Sequence, residues 1–239
     1  MKLRYFGLWL VVCGITLLIF PAGSAAAPNK SMIAAGGTHT LAIHKDGSLW
    51  VWGNNNYGQL GLGDNTDRLT PTRVGSANIW AAVAAMGSHS LGLQVDGSLW
   101  AWGWNIEGQL GLGEDDTTDR HVPTRVGSAN NWVAVTAGTS HSLGLQTGFF
   151  SIWAWGNNDD GQLGTEDTTE RPVPTLVGTG GVAVAAGGSH NLGLKVDGSL
   201  WSWGWNYYGQ LGLGDTTNRL SPTKVARFNA PRAVVIPLF

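Results

Sequence analysis

Cysteine is almost missing from this chain. The single example, Cys13, lies inside an apolar run near the N-terminus. That excludes a disulfide framework, a thiolate metal site and a cysteine nucleophile from everything downstream. Charge is scarce as well: only 13% of the 239 residues are charged, 14 basic against 16 acidic. No basic run occurs, which argues against nucleic acid and anionic membrane surfaces as partners. No Gly-x-Ser-x-Gly elbow, zinc-ligand spacing or nucleophile–base pair appears, so the sequence reads as non-enzymatic, with no catalytic residue, no cofactor and no metal. No apolar run reaches the ~20 residues of a membrane span.

The longest such run is Leu8 to Phe20, preceded by Lys2 and Arg4 and followed by the small residues of Pro21 to Ala27. This order of basic, apolar and small segments reads as a secretory signal peptide over residues 1–27, cleaved after Ala26. The expected location is therefore secreted, periplasmic or cell-surface, with no stable membrane span after cleavage. Without Lys2 and Arg4 the balance is 12 basic to 16 acidic residues, a net charge of −4.

Glycine, at 36 residues, and tryptophan, at 13, are in excess. They recur in order. A histidine returns at His39, His89, His141 and His190, at spacings of 50, 52 and 49. A tryptophan pair returns as Trp50/Trp52, Trp100/Trp102, Trp153/Trp155 and Trp201/Trp203. Behind each pair come Gly-x-Asn-x-x-Gly-Gln-Leu-Gly and then a Pro-Thr-x-Val segment. A period near fifty marks a structural unit that cannot bury its apolar face alone. Four units are delimited at about 31–78, 79–130, 131–180 and 181–228, leaving a tail over 229–239.

The second copy shows how one unit is built. Trp80 to Ala85 is an apolar first strand, and Met86 to Ser88 a turn. His89 to Val95 is a second strand, with Leu91, Leu93 and Val95 on one face. Asp96-Gly97 suits a two-residue type I′ hairpin loop, which needs positive φ at both positions. Ser98 to Gly103 is the third strand, where period-two alternation puts Trp100 and Trp102 on one side. Pro123-Thr124 leads into Val126 as a short edge strand, where proline is tolerated. The third copy departs at Thr147 to Ser151, with a His-to-Trp spacing of 12 instead of 11. That predicts a longer hairpin with Phe149 and Phe150 at its tip. The fold class is all-β: a β-propeller-type array of four antiparallel blades, an incomplete, open ring.

His-Ser-Leu-Gly-Leu-x-x-Asp-Gly-Ser-Leu-Trp-x-Trp-Gly, with the glycine-rich turn and Pro-Thr-x-Val behind it, resembles the regulator of chromosome condensation repeat over about Met32 to Val225. The resemblance implies a propeller whose full-length members close a ring of about seven blades. Ala233 to Ile236 then reads as the first strand of a fifth repeat, or as a partner for the N-terminal one. The functions the resemblance implies diverge. The nuclear nucleotide-exchange factor does not suit a leader and an acidic chain. Photoreception does not suit tryptophans that belong to the packing motif and a chain without an arginine-rich face. Exported propeller-type inhibitors that bind a protein on one rim fit better.

Four histidines in four separate sheets do not make a metal site; each is expected to be buried and hydrogen-bonded within its own blade. His44 and His121 break the pattern and are expected at the surface. The acidic loops beginning near Asp64, Glu114, Glu166 and Asp215 offer oxygen ligands of the kind calcium takes. Each ends in an arginine (Arg68, Arg120, Arg171, Arg219), so intrablade ion pairs are expected instead. Positions that vary inside the fixed Gly-x-Asn-x-x-Gly turn carry the binding expectation: Tyr57, Trp104, Ile106, Trp205, Tyr207 and Tyr208. Such turns should share one rim, and aromatic anchors on rigid turns suit hot spots. The alternative is that Trp104 and Trp205 cover neighbouring blades. The expected partner is a protein, with a glycan or cell-envelope ligand, or a fragment of a longer propeller, as the alternatives. Two open blade faces and an apolar tail predict that the chain does not stay a stable monomer: it forms a homo-oligomer, a dimer whose open arcs meet, or collapses into a strained smaller ring, or aggregates.

Overall fold

The computed structural model describes Val11–Val12, Ile15–Thr16 and residues 32–229; most of residues 1–27, read as a leader, and residues 233–236, read as the start of a fifth repeat, lie outside the described residues. Strands β1 (Val11–Val12) and β2 (Ile15–Thr16) pair with each other antiparallel. Everything else belongs to four sheets of four strands, each an antiparallel meander in chain order. Blade 1 is β3 (Met32–Ala35), β4 (His39–Ile43), β5 (Leu49–Gly53) and β6 (Arg68–Arg73). Blade 2 is β7 (Trp80–Met86), β8 (His89–Gln94), β9 (Leu99–Gly103) and β10 (Arg120–Arg125). Blade 3 is β11 (Trp132–Ala137), β12 (His141–Gln146), β13 (Ser151–Gly156) and β14 (Arg171–Gly178). Blade 4 is β15 (Gly181–Ala186), β16 (His190–Lys195), β17 (Ser199–Gly204) and β18 (Arg219–Asn229).

The hydrophobic core lies between blades. One face of blade 1 (Leu41, Ile43, Leu49, Val51, Leu60) packs against Trp80, Val83 and Trp102 of blade 2. Leu91, Leu93, Leu99 and Leu110 of blade 2 meet Trp132 and Trp155 of blade 3 in the same way. Leu143, Leu145, Ile152 and Leu163 of blade 3 meet Val184 and Trp203 of blade 4. Each blade thus has a leucine face toward its successor and a tryptophan face toward its predecessor. Alternation along β8 and β9 produces this split, because neighbouring side chains leave opposite sides of the sheet. Trp80 tilts against Trp100 and Trp102, and Trp132 against Trp153 and Trp155, with centroids 5.7–6.4 Å apart. A Cβ on Gly92 would lie 2.5 Å from the Trp80 ring, so only glycine leaves room for that indole. At the blade 3–blade 4 interface the first strand begins with Gly181 instead of tryptophan. A cavity of about 250 Å³ lies there, lined by Ile152, Lys195, Trp201 and Trp203 among others.

The hairpins differ from the expectation. Asp96 does not adopt positive φ; only Gly97 does, at 79°. The loop spans three residues, Val95 to Gly97. Gly97 N donates to Gln94 O and Gln94 N to Ser98 O, a turn followed by a left-handed glycine. The Asp96 carboxylate accepts from both the backbone N–H and the hydroxyl of Ser98, and the Ser98 hydroxyl accepts from Trp100 Nε1. A side chain occupied in this way fixes aspartate at negative φ, which removes the need for a type I′ turn. In blade 3 the loop is longer, with Gln146 paired to Ser151; Phe149 is 83% exposed at its tip and Phe150 half-buried at φ 53°.

Candidate functional site

The glycine-rich turns are built by a buried asparagine. Asn105 accepts from Leu110 N through Oδ1 and donates through Nδ2 to the carbonyls of Asp116 and Thr118. Asn55, Asn158 and Asn206 do the equivalent work, and all four are fully buried. The neighbouring acidic loops are closed by ion pairs: Asp64–Arg68 at 2.7 Å, Asp167–Arg171 and Asp215–Arg219 at 2.6 Å, and Asp116–Arg120. The arginines hold Asp64, Asp167 and Asp215 below the usual carboxylate range. These are the pairs expected in place of calcium. Among the described residues no group of three His, Cys, Asp or Glu side chains is placed to hold a metal ion.

Rigid turns from successive blades touch side by side. Tyr57 of blade 1 tilts against Trp104 of blade 2 at 5.9 Å. Asn157 of blade 3 donates to Glu107 of blade 2 at 3.3 Å, and Asn218 of blade 4 to Asp160 of blade 3 at 3.2 Å. All four turns therefore share one rim. Blade 4 carries a compact aromatic group: Trp205 stacks parallel to Tyr207, and Tyr208 stands perpendicular to both at 5.4 and 4.9 Å. Tyr57, Ile106, Tyr207 and Tyr208 are exposed. Trp104 and Trp205 are half-buried. Trp104 leans on the neighbouring blade; Trp205 supports the tyrosines of its own turn.

Between the two aromatic groups lies an acidic patch that the sequence did not single out. Glu170 reaches Glu107, and its carboxyl is raised to about 7, first by their hydrogen bond and then by burial and the charges of Glu107 and Asp159. Glu107 belongs to blade 2 and Glu170 to the polar loop of blade 3. No spacing in the chain announces that they meet.

His39, His89 and His141 are buried, as expected, whereas His190 is half-buried, and the three buried rings bond the next blade instead of their own. His39 Nε2 meets Ser90 Oγ of blade 2 at 2.8 Å, and His89 Nε2 meets Ser142 Oγ of blade 3 at 2.9 Å. His141 Nε2 meets Asn191 Oδ1 of blade 4 at 2.9 Å. Ser90 Oγ spends its one proton on the Gln59 carbonyl, and Ser142 Oγ on that of Gln109. The histidine must therefore donate from Nε2. The same glutamine carbonyls accept from the next blade's tryptophan: Trp102 to Gln59, Trp155 to Gln109 and Trp203 to Gln162, at 2.9–3.1 Å. Burial lowers His39 and His141 to about 4 and His89 to about 3. The expectation failed because each of these rings reaches across the interface, where the next blade presents the Ser90, Ser142 or Asn191 oxygen to its Nε2. The polar residue that follows each histidine (Thr40, Ser90, Ser142, Asn191) was the available signal. His44 is exposed beside Asp46, as expected. His121 is not a free surface residue: it is half-buried, and a Cβ on Gly58 of blade 1 would lie 2.5 Å from its ring.

The model of the regulator of chromosome condensation (RCC1) repeat matches residues 46–93, 96–145, 151–194 and 197–236. The chain belongs to the RCC1 repeat family. Each of the first three matched RCC1 units runs from the hairpin region of one blade into the first two strands of the next, so the sequence repeat straddles the blade interfaces. The chain is 36% identical over 148 residues to the ultraviolet-B receptor UVR8 of Arabidopsis thaliana, covering 61% of this chain and 33% of the receptor. It is 35% identical over 151 residues to the human probable E3 ubiquitin-protein ligase HERC3, covering 62% of this chain and 14% of that protein. Among solved structures, human WBSCR16 superposes with a TM-score of 0.74 at 25% identity, covering 82% of this chain and 53% of the other. Yeast RCC1 (Prp20), solved bound to Kap60, gives 0.71 at 25% identity, covering 88% and 50%. The chain thus spans a third or less of these two relatives and about half of these two solved structures.

Proposed function

We propose that this RCC1-repeat array is a non-catalytic, exported scaffold that binds a protein through the rim carrying Tyr57, Trp104, Ile106, Trp205, Tyr207 and Tyr208. The observation that supports this most is the arrangement of the rim: two aromatic groups on rigid turns, with the acidic Glu107, Asp159 and Glu170 between them. Such a surface suits a partner that inserts apolar anchors and presents a basic side chain to the acidic centre. Yeast RCC1, a structural relative, was solved in complex with a protein, Kap60, which supports the protein-binding reading. Export rests on the composition of residues 1–27 and would place the partner outside the cytoplasm. The exposed rings of Tyr207 and Tyr208 favour a sugar ligand as the second reading, because a flat aromatic face also stacks on a pyranose.

The test is capture of extracellular and envelope proteins on the immobilised chain, compared with the Tyr208→Ala, Tyr57→Ala and Glu107→Gln variants, beside a glycan array. Each tyrosine variant should lose about 2 kcal/mol of affinity, the scale of a hot-spot truncation, with an unchanged melting temperature. Capture that is unaltered in all three variants refutes the rim. Binding that survives on glycans alone selects the second reading.

A further inference from the structure

Each interface between successive blades has two unlike halves. The preceding blade supplies leucines, a histidine Nε2–H, a glutamine carbonyl and a glycine bed; the following blade supplies two tryptophans and a small polar side chain. The glycine bed is geometric. A Cβ on Gly61, Gly111 or Gly164 would lie 2.9 Å from Trp102, Trp155 or Trp203 of the following blade. A Cβ on Gly212 of blade 4 would meet nothing closer than Val225 at 3.7 Å. Three consecutive interfaces use the same lock, and at each end of the array one half of it stands alone among the described residues.

On blade 4, Leu192, Leu194 and Leu200 are half-buried, whereas Leu91, Leu93 and Leu99 of blade 2 are 0–3% exposed. His190 is half-buried too, and among the described residues its Nε2 has no counterpart of Ser90. On blade 1, Trp52 and Thr40 are half-buried, whereas Trp102, Trp155 and Trp203, and Ser90 and Ser142, are fully buried. Leu69 is 96% exposed, whereas its counterpart Leu220 covers Gly161 of blade 3.

We propose that the free leucine edge of blade 4 receives the free tryptophan edge of blade 1 from a second copy of this chain, by the lock that already joins blades within the chain. The occupant is a second copy because each edge lacks what the other edge carries. Trp52 Nε1 takes the Gln210 carbonyl, Thr40 Oγ1 takes His190 Nε2, and Leu69 covers the turn at Gly209. Two reciprocal contacts close eight blades, the upper end of the four to eight that propellers use. They form a two-fold dimer in which no blade edge is left open. This surface lies between blades and touches the rim only at the turn that ends in Gly209.

Sedimentation of the purified full chain at micromolar concentration tests it. Wild type should sediment at twice the mass of one chain. Leu69→Asp, which alters a side chain already in water, spoils only the blade 1 edge; Leu194→Asp spoils only the blade 4 edge. Each alone should be a monomer with a melting temperature within a few degrees of the other. Mixing them restores one good contact, and dimer should reappear in the mixture. A wild-type monomer, whether its edge is bare or covered by its own residues 230–239, overturns the proposal. Larger assemblies in which Leu69→Asp changes nothing, or a mixture that stays monomeric, overturn it equally. Glu107→Gln, on a turn of blade 2 away from both edges, should leave the mass unchanged, so failure here and failure of the rim reading are told apart.

Discussion

His89 and His190 begin the same strand of the same repeat, yet they sit in different worlds. His89 is sealed between two blades, fully buried and bonded to Ser142 of the next. His190 faces the open side of the last blade and is half-buried. Burial lowers both imidazoles, and the shift of His89 reaches a value of about 3. The same contrast separates Trp102 from Trp52 and Gly61 from Gly212. What differs is the presence of a neighbouring blade, so the stability of the array resides in its interfaces more than in its sheets. This is the behaviour of a chain of units held by nearest-neighbour terms.

Acid should expose that contrast with the largest effect. His39, His89 and His141 are held below their unfolded value of 6.5, at about 4, 3 and 4. Below pH 6.5 the unfolded chain takes up protons that these sites refuse. Their contribution to stability is complete above pH 6.5 and is lost as pH falls toward 4. The slope rises toward about 1.4 kcal/mol per pH unit for each group once the unfolded imidazole is protonated, so three histidines remove about 5 kcal/mol between pH 6.5 and 5. Urea unfolding at these two pH values measures it. His89→Gln should reduce the slope by about a third, and His190→Gln should reduce it by less, since His190 is only half-buried. The arginine-paired Asp64, Asp167 and Asp215 lose their contribution only below about pH 4, outside this window. Glu170, raised instead, acts in the opposite direction between pH 4.5 and about 7, on an exposed and screened carboxyl. A flat profile would show that the interblade histidines tolerate charge.

Truncating the tryptophans comes next. Trp102→Ala opens a cavity in a sealed interface and leaves the Gln59 carbonyl with one donor fewer; it should cost about 3–5 kcal/mol. In the monomeric Leu69→Asp chain, the background for this comparison and the next, Trp52→Ala removes a half-exposed ring and should cost about 1–2 kcal/mol. Equal losses, measured by chemical unfolding of each variant, would mean that the edge of blade 1 is covered as well as an inner face. The smallest expected difference separates two glycines of nearly equal backbone. Gly61 and Gly212 have φ of 69° and 68°. Alanine is strained by about 1–2 kcal/mol at either position. Only Gly61→Ala also pushes on an indole, so it should cost about 1–3 kcal/mol more. Melting curves of the two variants read that difference directly.

Much of the fold was legible before any coordinates. Period-two alternation at Leu91 and Leu93 announced a strand, although Val95, read onto the same face, is exposed in the hairpin loop; the fifty-residue period announced blades. Arg68, Arg120, Arg171 and Arg219 announced their ion pairs, since an i,i+4 partner lies within one loop. The hairpin type was misread because Asp-Gly has two uses: Asp96 can take positive φ, or it can accept from Ser98 and stay at negative φ. The rim was half legible. The variable positions Tyr57, Trp104, Tyr207 and Tyr208 stood out against a fixed motif, but the meeting of Glu107 with Glu170 did not.

The sequence by itself determined the local matters: where strands run, where they turn, which side chains are apolar, and that four equivalent units follow one another. These depend on residues a few positions apart, whose geometry is set by backbone sterics and alternation. Only the tertiary structure decided which blade each polar group serves, which face is sealed, and which copies of a repeated residue stay open to solvent. His39, His89, His141 and His190 carry no local mark that separates them. Their difference comes from partners about fifty residues away, which pack against them through burial and hydrogen bonds that exist only once a neighbouring blade is in place.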